Sequence, residues 1–309
     1  MTNYLVEPAP HIKSSLTTQK VMLHVIIAML PAVCAASYIY GLRALLTIVV
    51  CSAVCVLSEL VFEKITKRPR TINDLSAVVT GILLAFNLPP TLPLYMAAIG
   101  SVVAIVVVKQ FFGGIGQNFA NPAITARIVL MLSFSSYMTT WSEPFYYKNT
   151  ADAVSTATPL VSDQTFELFD LFFAKSGCIG ECCNAALLLG GLYLIITRVI
   201  NPVTPIAYIG TVALLTWVSG GNVTLQVLSG GLILGAFFMA TDYATTPLRT
   251  SGKLIFAVGC GLLTFMIRSF GSMPEGVSFS ILIMNILTPY IDKLTISHPF
   301  GAKKEVKSK

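Results

Sequence analysis

The chain has 309 residues, of which 55% are hydrophobic and only 11% charged, with a formal net charge of +6. Roughly a quarter of a typical soluble protein is charged, so a chain this apolar lacks the polar surface to face water on every side. Soluble enzymes and disordered segments are excluded, and the basic residues are spread between apolar runs instead of gathered into a nucleic-acid groove. The solvent of this chain is lipid.

The first apolar run, Val21 to Leu42, lacks the small-residue cleavage site of a removable signal and reads as a first membrane span. Two later runs are too long for one helix. Leu75 to Val108 contains no charge over 34 residues. As a helix it would extend about 50 Å against a hydrocarbon core of about 30 Å. It must turn, and Asn87-Leu88-Pro89-Pro90 marks the place. Val199 to Thr241 must turn at Ser219-Gly220-Gly221-Asn222 for the same reason. Ten spans follow: 20–40, 44–63, 74–88, 94–112, 121–138, 182–198, 203–219, 224–241, 253–269 and 276–292. The expected fold class is an all-α polytopic membrane protein. Several spans are short, as expected where protein and not lipid lies alongside.

Lys and Arg counts orient the chain. With the N-terminus inside, fifteen lie in inner segments and four, Arg43, Lys148, Lys175 and Arg268, lie outside. This bias predicts cytoplasmic termini. The one long connection, residues 139–181, then falls outside. Five spans precede it and five follow, and an odd-numbered repeat must be inverted in the membrane. The expected divisions are a cytoplasmic segment 1–19, a five-helix repeat 20–138, the outer loop 139–181, a second repeat 182–295 and a basic tail 296–309. Weak internal matches agree. Gly81, Thr91, Pro93 and Leu94 align with Gly235, Thr245, Pro247 and Leu248. Lys109 and Arg268 are each followed by Phe and Gly and then by G-x-x-F. In such folds the ion site lies near broken helices at the repeat interface, which points to Asn87, Thr241 and Asp242. Asp242 alternatively caps its turn through Thr245 and Thr246.

Asn121-Pro122 is a helix start, with Asn as N-cap and Pro at the first position. Beyond capping, its backbone donors with those of Gly116, Gln117 and Asn118 suit a phosphate or an anionic flavin. Arg127, one turn on, is an intramembrane charge that needs a partner or water. It belongs either to a flavin or ion path or to a structural salt bridge, made to another subunit or to Glu59. Cys178, Cys182 and Cys183 do not have the spacing of a usual metal site, so no metal is expected. The closing lysines read as an inside-positive tail near anionic headgroups.

The outer loop contains Asp152-Ala153-Val154-Ser155-Thr156-Ala157-Thr158. This D-x-x-[ST]-x-A-T string resembles the acceptor site of flavin transferases, which join FMN through its phosphate to a Thr hydroxyl. The resemblance makes Thr158 the acceptor, with Asp152, Ser155 and Ala157 as its recognition residues. Ala153 and Thr156 stand where Gly is commoner, and Thr156 is a rival acceptor. The strings Gly113-Gly114-Ile115-Gly116-Gln117-Asn118, Asn121-Pro122-Ala123, Met239-Ala240-Thr241-Asp242, Thr246-Pro247-Leu248, Phe270-Gly271, Pro274-Glu275-Gly276-Val277, Met284-Asn285 and Thr288-Pro289 follow in order. From about Ser14 to Thr295 this series resembles RnfD, the membrane-subunit family of Rnf electron-transport complexes. Its relative is NqrB of the sodium-pumping NADH:quinone oxidoreductase, whose members carry a longer N-terminal extension.

The resemblance implies two inverted five-helix halves, one covalent FMN on Thr158, and a place in a complex of the bacterial cytoplasmic membrane. That complex couples electron flow between ferredoxin and NAD to Na⁺ or H⁺ transport. This chain has no haem ligand pair and no Cys cluster, so other Rnf subunits must complete the electron path. A flavin transferase is needed for maturation. No catalytic residue is expected in the subunit itself, which is not active alone. The Asn121 turn falls on the cytoplasmic side, opposite Thr158. It therefore either dips into the membrane or serves a second ligand, for which a second, non-covalent flavin is the candidate. The rival readings are a non-redox channel or secondary transporter of inverted-repeat type, and a structural subunit.

Overall fold

The structure, a computed structural model, describes residues 17–68, 71–148, 155–156, 168–271 and 276–296. Among them, thirteen α-helices carry the fold, with one two-residue β-pair beside them. Helix α1 (Thr18–Tyr40) is capped by the Thr17 hydroxyl and runs to Gly41, whose φ of 72° turns the chain into α2 (Leu42–Thr66). Helices α12 (Thr250–Phe270) and α13 (Gly276–Thr295) form a second long pair. These four are long and apolar enough to cross a membrane. Their outward faces expose residues such as Leu30, Leu57, Val61 and Leu254. In water these would be a liability, but against lipid they are the solvated surface.

The remaining helices are short because other helices surround them. Helix α3 (Ser76–Phe86) is about 16 Å long, half the thickness of the hydrocarbon core. It stops at Asn87, and the chain turns through Pro89, Pro90 and Pro93 into α4 (Leu94–Val102). Helix α4 continues as a π-helix, Val103–Gln110. This is the break expected at Asn87-Leu88-Pro89-Pro90. Helix α5 (Pro122–Ser133) starts at Asn121 and ends at Phe134, before the four-residue α6 (Ser135–Met138). The span expected over 121–138 is thus two pieces. The β-pair joins β1 (Trp141–Ser142) to β2 (Ser155–Thr156), Trp141 opposite Thr156.

After α7 (Leu168–Phe173) the chain runs through a buried irregular stretch, 174–183, into α8 (Asn184–Ile196) and α9 (Val203–Val218). The span expected over 224–241 is not one helix. It divides into α10 (Val223–Leu228) and α11 (Leu232–Leu234), which continues as a π-helix over Gly235–Met239. The break falls at Ser229-Gly230-Gly231, where both glycines have positive φ, 66° and 68°, a conformation open to Gly and costly for other residues.

Residues 76–86 and 232–239 are therefore two half-helices, and their C-terminal ends meet inside the protein. The Asn87 carboxamide donates to the Leu83 carbonyl at 2.6 Å and approaches the Met239 sulfur at 3.6 Å. Their starting ends are held alike. Lys109 donates to the Ser76 hydroxyl at the start of the first, and Arg268 donates to the Ser229 and Gly230 carbonyls at the start of the second. Gly81 and Gly235 both sit at close approaches. A Cβ at Gly81 would collide with the Ser52 backbone, and one at Gly235 with Val277.

Candidate functional site

A cleft of about 90 Å³ opens on the side where α1 begins. Its walls are apolar, from Val25, Leu83, Leu194, Phe237 and Phe238. Its polar groups come from the 116–121 turn, from Ser76 and Lys109, and from Thr241 and Asp242. Apolar walls with a few placed polar groups are the usual make-up of a cofactor site.

The 116–121 turn is built by backbone conformation. Gly113, Gly114 and Gly116 have φ of 123°, 101° and 81°, values that favour glycine. Asn121 then caps α5. Its Oδ1 accepts from the Ala123 and Ile124 amides at 3.0 and 3.4 Å, and its Nδ2 donates to the Met239 carbonyl at 3.4 Å. The N-cap is as the Asn-Pro pair predicts, and it also ties α5 to the end of the second half-helix. Asn285, in the orientation that satisfies both neighbours, accepts from the Asn121 amide at 3.1 Å and donates to the Thr245 carbonyl at 3.2 Å. The Asn118 Oδ1 is buried beside the cleft with no hydrogen-bond partner. An orphaned acceptor there fits a ligand that presents an N–H, as a flavin does at its ring imide. Gly116, Asn118 and Asn121 line the cleft together with Thr241 and Asp242.

Asp242 accepts from the Thr245 hydroxyl at 3.1 Å and from the Ala244 amide at 3.4 Å, which is the capping arrangement. Burial pushes its carboxyl above the ordinary range, and those two donors pull it back down. The Thr241 hydroxyl is turned to the Phe237 carbonyl.

Arg127 lies away from the cleft lining, 3% exposed. It donates to Asn87 Oδ1 at 3.0 Å, Ser278 Oγ at 2.9 Å and Cys178 Sγ at 3.4 Å. Two helix C-termini converge near Asn87 and Met239, and each contributes partial negative charge. A guanidinium placed there offsets both. Glu59 is not its partner.

Glu59, 0% exposed, pairs instead with Lys109 at 2.6 Å. The Gln110 amide donates to the same oxygen at 2.7 Å. Lys109 and Gln110 are neighbours in sequence, and the π-winding narrows the angle between successive side chains enough for both to reach it. Glu63, one turn from Glu59, accepts from the Thr71 amide at 2.9 Å. The sequence expectations omit this cluster. Its signal was two acids four residues apart inside an otherwise apolar span, which puts them on one helix face.

Asp152, Ala157 and Thr158 lie outside the described residues, and of Ser155 the structure describes only its place in β2. That place sets the start of the Ser155–Thr158 string opposite Trp141–Ser142. The basic tail 296–309 also lies outside the described residues, apart from Ile296. Among the described residues, no group of His, Cys, Asp and Glu is arranged to hold a metal ion. None of the seven cysteines forms a disulfide, and Cys178, Cys182 and Cys183 are buried.

A model of the NQR2, RnfD, RnfE family matches residues 5–301. The chain is 45% identical to the D subunit of the Na⁺-translocating ferredoxin:NAD⁺ oxidoreductase complex of Acetobacterium woodii, covering 99% of each chain. It is 41% identical to the D subunit of the proton-translocating ferredoxin:NAD⁺ oxidoreductase complex of Clostridium ljungdahlii, covering 97% of each. The D subunit of an ion-translocating oxidoreductase complex of Escherichia coli is 32% identical, over 97% of this chain and 99% of the relative.

Proposed function

The chain belongs to the NQR2, RnfD, RnfE family, and from that premise we propose that it is the D-type membrane subunit of an ion-translocating ferredoxin:NAD oxidoreductase complex. It carries flavin and works only with the other subunits of the complex. The observation that carries this reading is 45% identity to a subunit of that kind, running end to end over 99% of both chains. A channel or scaffold reading has no comparable support.

Thr158 holds an FMN through a phosphoester, and Asp152, Ser155 and Ala157 form the string that a flavin transferase reads. FMN supplies one- and two-electron chemistry, and the protein supplies its position and electrostatic surroundings. The cleft receives a second, non-covalent flavin. Asn118 accepts from the ligand, Gly116 and Asn121 shape the turn against it, and Leu83, Phe237 and Phe238 cover its ring. Gln117 belongs to the same turn but is not among the residues that line the cleft. The Lys and Arg bias supports cytoplasmic termini, which put this cleft on the cytoplasmic side and Thr158 on the other face of the bacterial inner membrane.

The test is in-gel fluorescence and mass analysis of the denatured subunit made together with an active flavin transferase. The subunit should gain the mass of one FMN less one water, on a peptide containing Thr158. Thr158→Ala should abolish the fluorescence and leave the helices inserted, whereas Thr156→Gly should keep it. No covalent flavin on the wild-type subunit would remove the redox role.

A further inference from the structure

The two ends of the molecule hold their buried acids differently. On the cleft side Glu59 is paired directly with Lys109. On the opposite side, in the buried stretch before α8, Glu181 is 3% exposed. Its Oε1 has no hydrogen-bond partner, and its carboxylate makes no ion pair among the described residues. It lies against Gly177 and Gly231, where a Cβ would come 3.1 Å from Oε2 and 2.5 Å from Oε1. Gly231 begins the second half-helix. The turn leading to it holds a second orphan: Ser229 Oγ, fully buried and without a partner. Two buried oxygens thus border one turn without bonding to each other.

The carbonyls of that turn are taken by cationic side chains. Arg268 donates to the Gln226, Ser229 and Gly230 carbonyls at 2.6, 3.0 and 3.0 Å. The Lys175 ammonium, itself 4% exposed, donates to the Leu228 carbonyl and to Asn184 Oδ1. Asn184 is fixed in turn by its Nδ2, which donates to the Leu171 and Leu228 carbonyls at 2.8 and 2.6 Å. Lys175 feels the charge of Glu181 yet makes no ion pair with it. Burial pushes this ammonium down to about 8, and Glu181 pulls it back up, so it remains charged at neutral pH.

A buried carboxylate without a paired cation costs several kcal/mol, and the group is relieved either by a proton or by a bound cation. Carboxylate, hydroxyl, amide and main-chain oxygens are the hard donors that replace the hydration shell of an alkali cation. We propose that Glu181, Ser229, Asn184 and the Leu228 carbonyl form a sodium-class monovalent cation site at the start of the second half-helix. Lys175 is its tethered competitor, so the ion leaves as the ammonium takes the Leu228 and Asn184 oxygens. The use of this site in transport rests on the ion-translocating reading above, whereas its binding of sodium does not.

The test is equilibrium binding of radioactive sodium to the purified whole complex, without ferredoxin or NAD, so that no turnover is needed. A tethered charge competes at an effective concentration in the millimolar range or above, so Lys175→Met should tighten one sodium site by about tenfold or more. Lys175→Met/Glu181→Gln should lose that site, and Lys175→Met/Ser229→Ala should bind it several-fold more weakly. Glu181→Gln alone keeps the side-chain volume and tests the site in case Lys175→Met fails to assemble. It should lower the sodium bound at saturation by one ion per complex. Equal binding by wild type and Glu181→Gln overturns the proposal, as does Lys175→Met binding no more tightly than wild type. A protonated-carboxyl infrared band lost in Glu181→Gln, with no sodium-dependent change, also overturns it. A complex that binds sodium here but pumps no ion refutes the transport reading and leaves the site standing.

Discussion

Removing the ammonium of Lys109 should destabilise the protein far more than removing the whole ion pair. Lys109 Nζ stands 2.6 Å from Glu59 Oε1 and 2.6 Å from the Ser76 hydroxyl, with both charged groups almost wholly buried. At an effective dielectric constant of about 20 the pair attraction at that distance is about 6 kcal/mol before desolvation is subtracted. Lys109→Met leaves Glu59 with only the Gln110 amide at 2.7 Å and the Thr71 hydroxyl at 3.4 Å. Breaking a buried pair in this way costs about 3–5 kcal/mol, whereas replacing both partners by neutral groups is often near neutral. Lys109→Met should therefore lose about 3–5 kcal/mol, and Lys109→Met/Glu59→Gln should regain most of it. Denaturant titration of the detergent-solubilised complex reads both. A single variant within about 1 kcal/mol of wild type, or a double variant no better than the single, would refute the account of the pair.

Gly190→Ala should destabilise by about 1–3 kcal/mol, because its Cβ would strike the Ala28 carbonyl and prise α8 from α1; the same titration checks it, and a shift under about 0.5 kcal/mol counts against that contact. Lys175 gives a pH signature. Its folded value is about 8 against an ordinary 10.5, so between those values the unfolded chain binds more protons and stability rises with pH. The full gain is about 3 kcal/mol, and the groups facing the ammonium are Glu181, Arg268, Cys182 and Cys178. The thermal midpoint of wild type should rise relative to Lys175→Met as pH goes from 8 towards 10, and parallel profiles would contradict the buried charge.

The sequence revealed the helix breaks where proline or a charge-free run made a single helix impossible. Asn87-Leu88-Pro89-Pro90 is such a place, and α3 and α4 separate there. The break at Ser229-Gly230-Gly231 is hidden in the sequence, because the surrounding run has the length of one ordinary span. Only the positive φ of both glycines shows that the chain turns there. Asn121 as a cap was legible because capping is local chemistry. The tie from Asn121 to Met239, the pairing of Glu59 with Lys109, and the gathering of Arg127 with Asn87, Ser278 and Cys178 are long-range. Nothing in the spacing of those residues encodes which partner each one meets. Gly116, Asn118 and Asn121 were found through turn chemistry, and their meeting with Thr241 and Asp242 follows from the half-helix ending where it does.

The half-helices also bear on how the membrane voltage is distributed. The cleft reaches Leu83 and Phe237, close to where both half-helices end. Where water enters the cleft beside its ligand, little of the potential falls there, and the drop is concentrated across the protein between the cleft and the buried stretch 174–183. Each elementary charge that crosses the whole potential exchanges about 2.3 kcal/mol per 100 mV. Compressing that drop into part of the bilayer leaves the exchanged energy unchanged but shortens the distance over which it is exchanged. A displacement of a few ångströms near Asn87 and Met239 then carries as much electrical work as a passage through a much longer uniform pore. The fold behaves as a capacitor with a narrow gap, and the charged groups nearest that gap, Arg127 among them, feel the steepest field.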